Sequence, residues 1–154
     1  MPSSNLPPNW GPLVPRVILG IVFVFHGGQK LFGLFGGDAG TIDKLAEGIT
    51  AWGWPMPKFL AYSVGVTEFF GGACVLMGLL TRFWSAGLAV TMIVAAWKVH
   101  GPNGFSLGNG GWEYNFVLGT LAAALAVQGG GAFSLDEMFF KAKPKPSPTD
   151  KPPK

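Results

Sequence analysis

Residues 12–35 read "PLVPRVILGIVFVFHGGQKLFGLF". The run is apolar apart from Arg16, His26, Gln29 and Lys30. About 20 predominantly apolar residues cross a hydrocarbon core of ~30 Å as a helix. The stretch therefore predicts a membrane-spanning helix, with Pro12 and Pro15 in its first turn, where a missing N–H costs nothing. A charge at mid-bilayer costs ~3 kcal/mol or more when it stands alone. His26 and Lys30 are four apart, about 40° around a helix. They share one face, and that face needs a partner.

Composition points the same way. Hydrophobic residues make up 49% of the 154 positions and charged residues 12%, about half the share of a soluble domain. The mean hydropathy is +0.37. The length suits one domain. Cys74, the single cysteine, allows no internal disulfide and no multi-cysteine metal site. The sequence pI near 9.2 does not argue for nucleic acid. Five of the eleven cationic residues are lysines in the closing stretch "KAKPKPSPTDKPPK", a Pro/Lys tail suited to an anionic leaflet.

Working outward from the first run, residues 1–11 are Pro-rich and irregular, with no basic segment or small-residue cleavage site of the kind a removed signal peptide carries. Residues 36–57 place Ile42, Leu45, Ile49 and Trp52 at three- and four-residue steps, with Asp43, Lys44 and Glu47 off that stripe. This predicts a short amphipathic helix on the membrane surface, closed by "GWPMP". Further apolar runs follow at about 59–80, 83–99 and 112–130, so the spans number four with 12–35. Residues 100–111 form a Gly-rich loop, and 132–140 suit a short interfacial helix. The expected fold is thus an all-α integral membrane bundle of four transmembrane helices over residues 12–131. A short interfacial helix lies between spans one and two, and 132–154 form a tail. All six tryptophans, at 10, 52, 54, 84, 97 and 112, fall at predicted span ends, as an aromatic belt requires.

Lysine and arginine counts orient the bundle. The side with both termini holds seven (Arg16, Arg82 and five tail lysines); the other side holds Lys30, Lys44, Lys58 and Lys98. Both termini are expected in the cytoplasm. Small residues mark the interior faces: Ala61, Gly65 and Gly72 with Glu68 on span two, Gly87, Thr91 and Ala95 on span three, and Gly119 and Ala123 on span four.

By depth, His26, Lys30, Glu68, His100 and Glu113 all fall in the outer half. His26 and Glu68 lie roughly 13–14 Å in from the outer ends of their spans at 1.5 Å per residue. The simplest pairing sets Glu68 against His26 or Lys30, and Glu113 near His100 and Lys98. Three readings stand: an ion pair that fixes helix register, a site for a proton-coupled or redox ligand, or solvated loop-end charges that form no cluster. Two histidines and two glutamates could ligate a metal in number, but no His-x-x-Glu or Glu-x-x-His spacing occurs, so no metal is expected. No phosphate loop, dinucleotide fingerprint or haem motif is present.

The stretches "PRVILGIVFVFHGGQKLFG", "TEFFGGACVLMGLLTR", "KVHGPNGF" and "GGWEYNFVLGTLAAAL" together resemble the DoxX family of small four-helix bacterial membrane proteins. Arg16, His26, Lys30, Glu68, Arg82, His100 and Glu113 sit where such a family has polar positions. The resemblance implies the four-helix membrane bundle, a place in the bacterial inner membrane, and links to quinone oxidoreductases and to thiol and oxidative-stress complexes. Three functions compete on this basis. In the first, the chain is a membrane subunit of an oxidoreductase system whose outer-half pocket binds quinone. His26 and Lys30 then hold the headgroup, Glu68, His100 and Glu113 relay protons, Arg16 and Arg82 support the bundle, and Phe25, Phe32, Phe69 and Phe70 flank the ring. No other cofactor is visible. In the second, the chain is a scaffold that anchors a redox or stress-response protein, alone or as a homo-oligomer. The third, a small transporter, lacks an inverted repeat and a broken helix pair.

Overall fold

Prolines and glycines set the helix ends. The computed structural model describes residues 9–38 and 40–140. The expected Pro/Lys tail at 141–154 and all but the end of the 1–11 segment lie outside the described residues. Helix α1 runs Leu13–Phe32 and stops at Gly33, whose N–H returns to the Gln29 carbonyl. Helix α2 runs Thr41–Ala51. Helix α3, Pro57–Val66, opens on proline at its first position. A π turn, Thr67–Gly71, joins it to α4, Gly72–Met77, so that Pro57–Met77 is one continuous helix. Helix α5, Thr81–Val94, is extended by a second π turn, Ala95–Val99. Helix α6 is Glu113–Gln128 and α7 is Leu135–Phe140. No strand occurs among the described residues.

The four expected spans thus fall on α1, on α3 with α4, on α5 with its π extension, and on α6. Among the described residues, Pro57–Met77 is the one helix long and apolar enough to cross a membrane by length and composition. Ionisable residues break the apolar run of α1, and α6 has only 16 residues.

Close backbone approach holds α1 to the second long helix. A methyl group on Gly20 would meet Leu76, and one on Gly72 would meet Phe23. Leu19, Phe23, Val75, Leu88, Leu118 and Leu125 fill the core between these helices, α5 and α6. On the 57–77 helix the expected face is the buried one: Ala61, Gly65, Glu68 and Gly72 all point inward. On α6 the expected face is displaced. The buried positions are Asn115, Leu118, Ala122 and Leu125, whereas Ala123 is exposed. On α5 the core takes Ser85, Leu88, Ala89 and Met92, and Gly87, Thr91 and Ala95 are half-buried beside a cavity.

Two further expectations are corrected by tertiary contacts. The apolar stripe of α2 packs on protein. Ile42, Ala46 and Ile49 are buried against Ala61, with Leu31 and Leu60 beside them. An amphipathic face is satisfied equally by lipid or by a neighbouring helix, and here the neighbour is α3. The tail also begins later than residue 132. Ala132 and Ser134 are buried, and Arg16, 2% exposed, donates from Nη1 to the Gly130 carbonyl and from Nη2 to the Phe133 carbonyl, both at 2.9 Å. The Asp136 carboxylate accepts from the amides of Leu80 at 2.6 Å and Thr81 at 2.9 Å, capping α5. Residues 132–140 therefore belong to the folded body.

Candidate functional site

Glu68 is the second residue of the π turn. A π turn widens the helix by one residue locally and is common at functional sites. Here it carries an acidic side chain that is 3% exposed. Lys30, in the last turn of α1 and 23% exposed, donates its Nζ to Glu68 Oε2. A cation is favoured at that helix end by the macrodipole, and the pairing offsets part of the cost of burying either charge.

The pair borders a cavity of about 790 Å³. His26, Lys30, Glu68 and His100 all line it. Phe23, Tyr114 and the tryptophans Trp52 and Trp54 supply its aromatic walls. Leu45 and Ile49 of α2 also face it, so α2 closes one side. His26 makes edge contacts with Phe25 and with Tyr114, whose ring centroid is 6.5 Å away. His100 Nδ1 lies 2.8 Å from the Gly110 carbonyl. A carbonyl only accepts, so Nδ1 carries the hydrogen and the neutral ring keeps Nε2 as an acceptor.

Several expected partnerships are replaced. Glu113 is absent from the cavity lining; its Oε2 accepts from the Leu107 amide at 2.9 Å and organises the 100–111 loop. Lys98 lies over Trp97, 3.9 Å from the ring centroid, and more loosely over Trp54. Both groups found nearer partners than each other. Arg82 Nη2 donates to the Gln128 carbonyl at 3.3 Å and Arg16 clamps residues 130–133, so both serve the opposite end of the molecule. Phe25, Phe32, Phe69 and Phe70 are absent from the cavity lining. Phe32 packs edge-on to Phe69, Phe69 to Phe70, and Phe25 stacks on Phe35. Outside the cavity, Lys44 donates to Asp38 at 2.9 Å, which holds the Asp38 carboxyl below its ordinary range and the Lys44 ammonium above its own. Among the described residues, no three His, Cys, Asp or Glu side chains gather where they could hold a metal ion.

Besides Tyr114, four uncharged polar residues that charge-based reading passed over also face the cavity: Ser63, Thr67, Thr91 and Asn115. The signal for Asn115 was an amide inside the apolar run "WEYNFVLG". Taken together, the site offers an ammonium donor, a buried carboxylate, an imidazole acceptor and aromatic walls. That chemistry suits a flat, largely apolar molecule bearing oxygen atoms.

The profile of the DoxX family matches residues 11–101. Over 133 residues the chain is 35% identical to "Putative oxidoreductase CatD" of Bacillus subtilis (strain 168), covering 86% of this chain and 90% of that protein. Over 132 residues it is 29% identical to "Inner membrane protein YqjF" of Escherichia coli (strain K12), covering 85% of this chain and 93% of that protein. No solved structure matches.

Proposed function

The chain belongs to the DoxX family of membrane proteins, and on that premise we propose that it is an inner-membrane subunit of a bacterial oxidoreductase system whose cavity takes a quinone headgroup. In this reading α1, the 57–77 helix, α5 with its extension and α6 all cross the bilayer, with both termini in the cytoplasm. The observation that carries the reading is the buried Lys30–Glu68 pair on the wall of a cavity of about 790 Å³. The name of the Bacillus relative agrees with redox work, and that of the Escherichia relative with the membrane.

A quinone becomes a quinol by gaining two electrons and two protons. The electrons come from a redox partner protein. Lys30 stabilises negative charge on a ring oxygen as the first electron arrives, an electrostatic task that a desolvated ammonium performs well. Two protons accompany the electrons. His100, with Nε2 left as acceptor, exchanges one with a ring oxygen and the Glu68 carboxylate exchanges the other, each equilibrating with water. In the reverse direction the same groups take the protons as the electrons return to the partner. His26 and Tyr114 position the ring.

Trp52 and Trp54 line the cavity, so their fluorescence reports occupancy. A soluble benzoquinone is expected to quench the purified full chain saturably. Lys30→Met should weaken that binding, and Trp54→Phe should reduce the signal. Absence of saturable quenching, with a soluble protein co-purifying from native membranes, would favour the scaffold instead.

A further inference from the structure

A second concavity of about 500 Å³ runs along the outside of the molecule between α5 and α6. Ala89, Ala96, Gly119, Thr120 and Ala123 form much of its floor and sides, with Trp97 and Trp112 at one end. Its length, from Trp112 to Ala123 on α6, is about 16 Å at 1.5 Å per residue. Small side chains leave the surface concave, and at Gly119 α5 and α6 approach closely: a methyl group there would come within 3.2 Å of Met92 Cβ. Met92 and Asn115 line this groove and also line the cavity beside the Lys30–Glu68 pair. They are the wall between the two.

That wall is weakly built. Asn115 is 8% exposed, and its one polar contact among the described residues is from the amide Nδ2 to the Met92 thioether at 3.6 Å. A thioether is a poor acceptor. Methionine changes rotamer easily and fills irregular gaps. A buried amide held by such a partner gains when a better acceptor or donor arrives.

We infer that the α5–α6 groove is the seat of the hydrocarbon tail of the cavity's ligand, which passes from cavity to membrane at Met92 and Asn115. The inference rests on the quinone reading of the cavity and adds the chemical class of the rest of the ligand: a long alkyl or alkenyl chain. Three features select this occupant. Met92 and Asn115 are the residues that the groove and the cavity linings share, the groove's surface is almost wholly apolar, and its tryptophan end suits the membrane interface where a headgroup would sit. Asn115 then hydrogen-bonds a ring oxygen at the point where the tail leaves.

The test compares a tailless benzoquinone with the same headgroup carrying a decyl chain, both bound to the purified full chain. Thr120 and Ala123 are exposed on α6, so Thr120→Phe and Ala123→Phe fill the groove without entering the core. Each is expected to weaken the decyl compound about tenfold, within the range for overpacking a fitted site, and to leave the tailless compound unchanged. Unchanged tailless binding also shows that the variants fold. Asn115→Leu is expected to weaken both compounds. If both groove variants leave the decyl compound unaffected, the tail lies elsewhere and the inference falls while the cavity reading stands. If the unmodified protein binds neither compound, both fall together.

Discussion

Gly27 of α1 lies flat against the backbone of Phe69: a methyl carbon on Gly27 would sit 2.3 Å from the Phe69 amide nitrogen. No side chain fits there. The contact lets α1 touch the π turn, and so lets Lys30, less than one turn further along, reach Glu68. Gly27, the first glycine of "HGGQK", is thus part of what assembles the site.

Gly27→Ala is expected to lower stability by about 1–3 kcal/mol, the usual cost of overpacking, and to loosen the Lys30–Glu68 contact. Gly48→Ala is the control. A methyl group there meets nothing closer than Trp52 at 4.0 Å, and alanine is the better helix former by up to ~1 kcal/mol. Thermal unfolding in detergent should separate the two by sign. Equal effects would dismiss the contact.

Glu68→Ala strands the Lys30 ammonium in a mostly desolvated place. Breaking a buried pair costs about 3–5 kcal/mol, and the partial exposure of Lys30 puts the expectation at the low end. Lys30→Met in the same chain should recover part of the loss. His26, which contacts Phe25 and Tyr114, should combine with Glu68→Ala additively to within ~0.5 kcal/mol. Strict additivity of Glu68→Ala with Lys30→Met, read by the same unfolding assay, would mean the two are uncoupled.

At the other end, Arg16→Leu removes both hydrogen bonds to residues 130 and 133, and Asp136→Ala removes the cap on α5. The cap alone is worth ~1 kcal/mol. Limited proteolysis should then cut between residues 129 and 140 faster in either variant, with the cavity still able to bind. Unchanged protection would show that the segment is held by its apolar contacts alone.

Orientation is testable with single cysteines placed after Cys74→Ala. An impermeant thiol reagent added to intact cells should label Lys44→Cys and Phe105→Cys and should reach Arg82→Cys only after the membrane is opened. The lysine and arginine asymmetry, seven against four, motivates this order. Outside labelling at residue 82 would invert the assignment.

The helices were legible in the chain because their causes are local. Apolar runs of the right length, proline at the first position of α3 and glycine after α1 act within a few residues. Glu68 was legible too, since an acid among Ala61, Gly65 and Gly72 faces wherever small residues face, and close packing put that face inside. Its choice of Lys30 over His26 was not, because it depends on the depth at which Gly27 lets α1 cross the π turn. The partner of α2 was hidden for a different reason: its stripe has the same pattern whether lipid or α3 covers it. Glu113 carries the charge that draws attention in "WEYNF", yet it turns to the Leu107 amide, while the neutral Asn115 two positions on enters both cavity and groove. Charge and spacing say that a polar group needs a partner; only the rotation and crossing of whole helices decide which partner comes within about 3 Å.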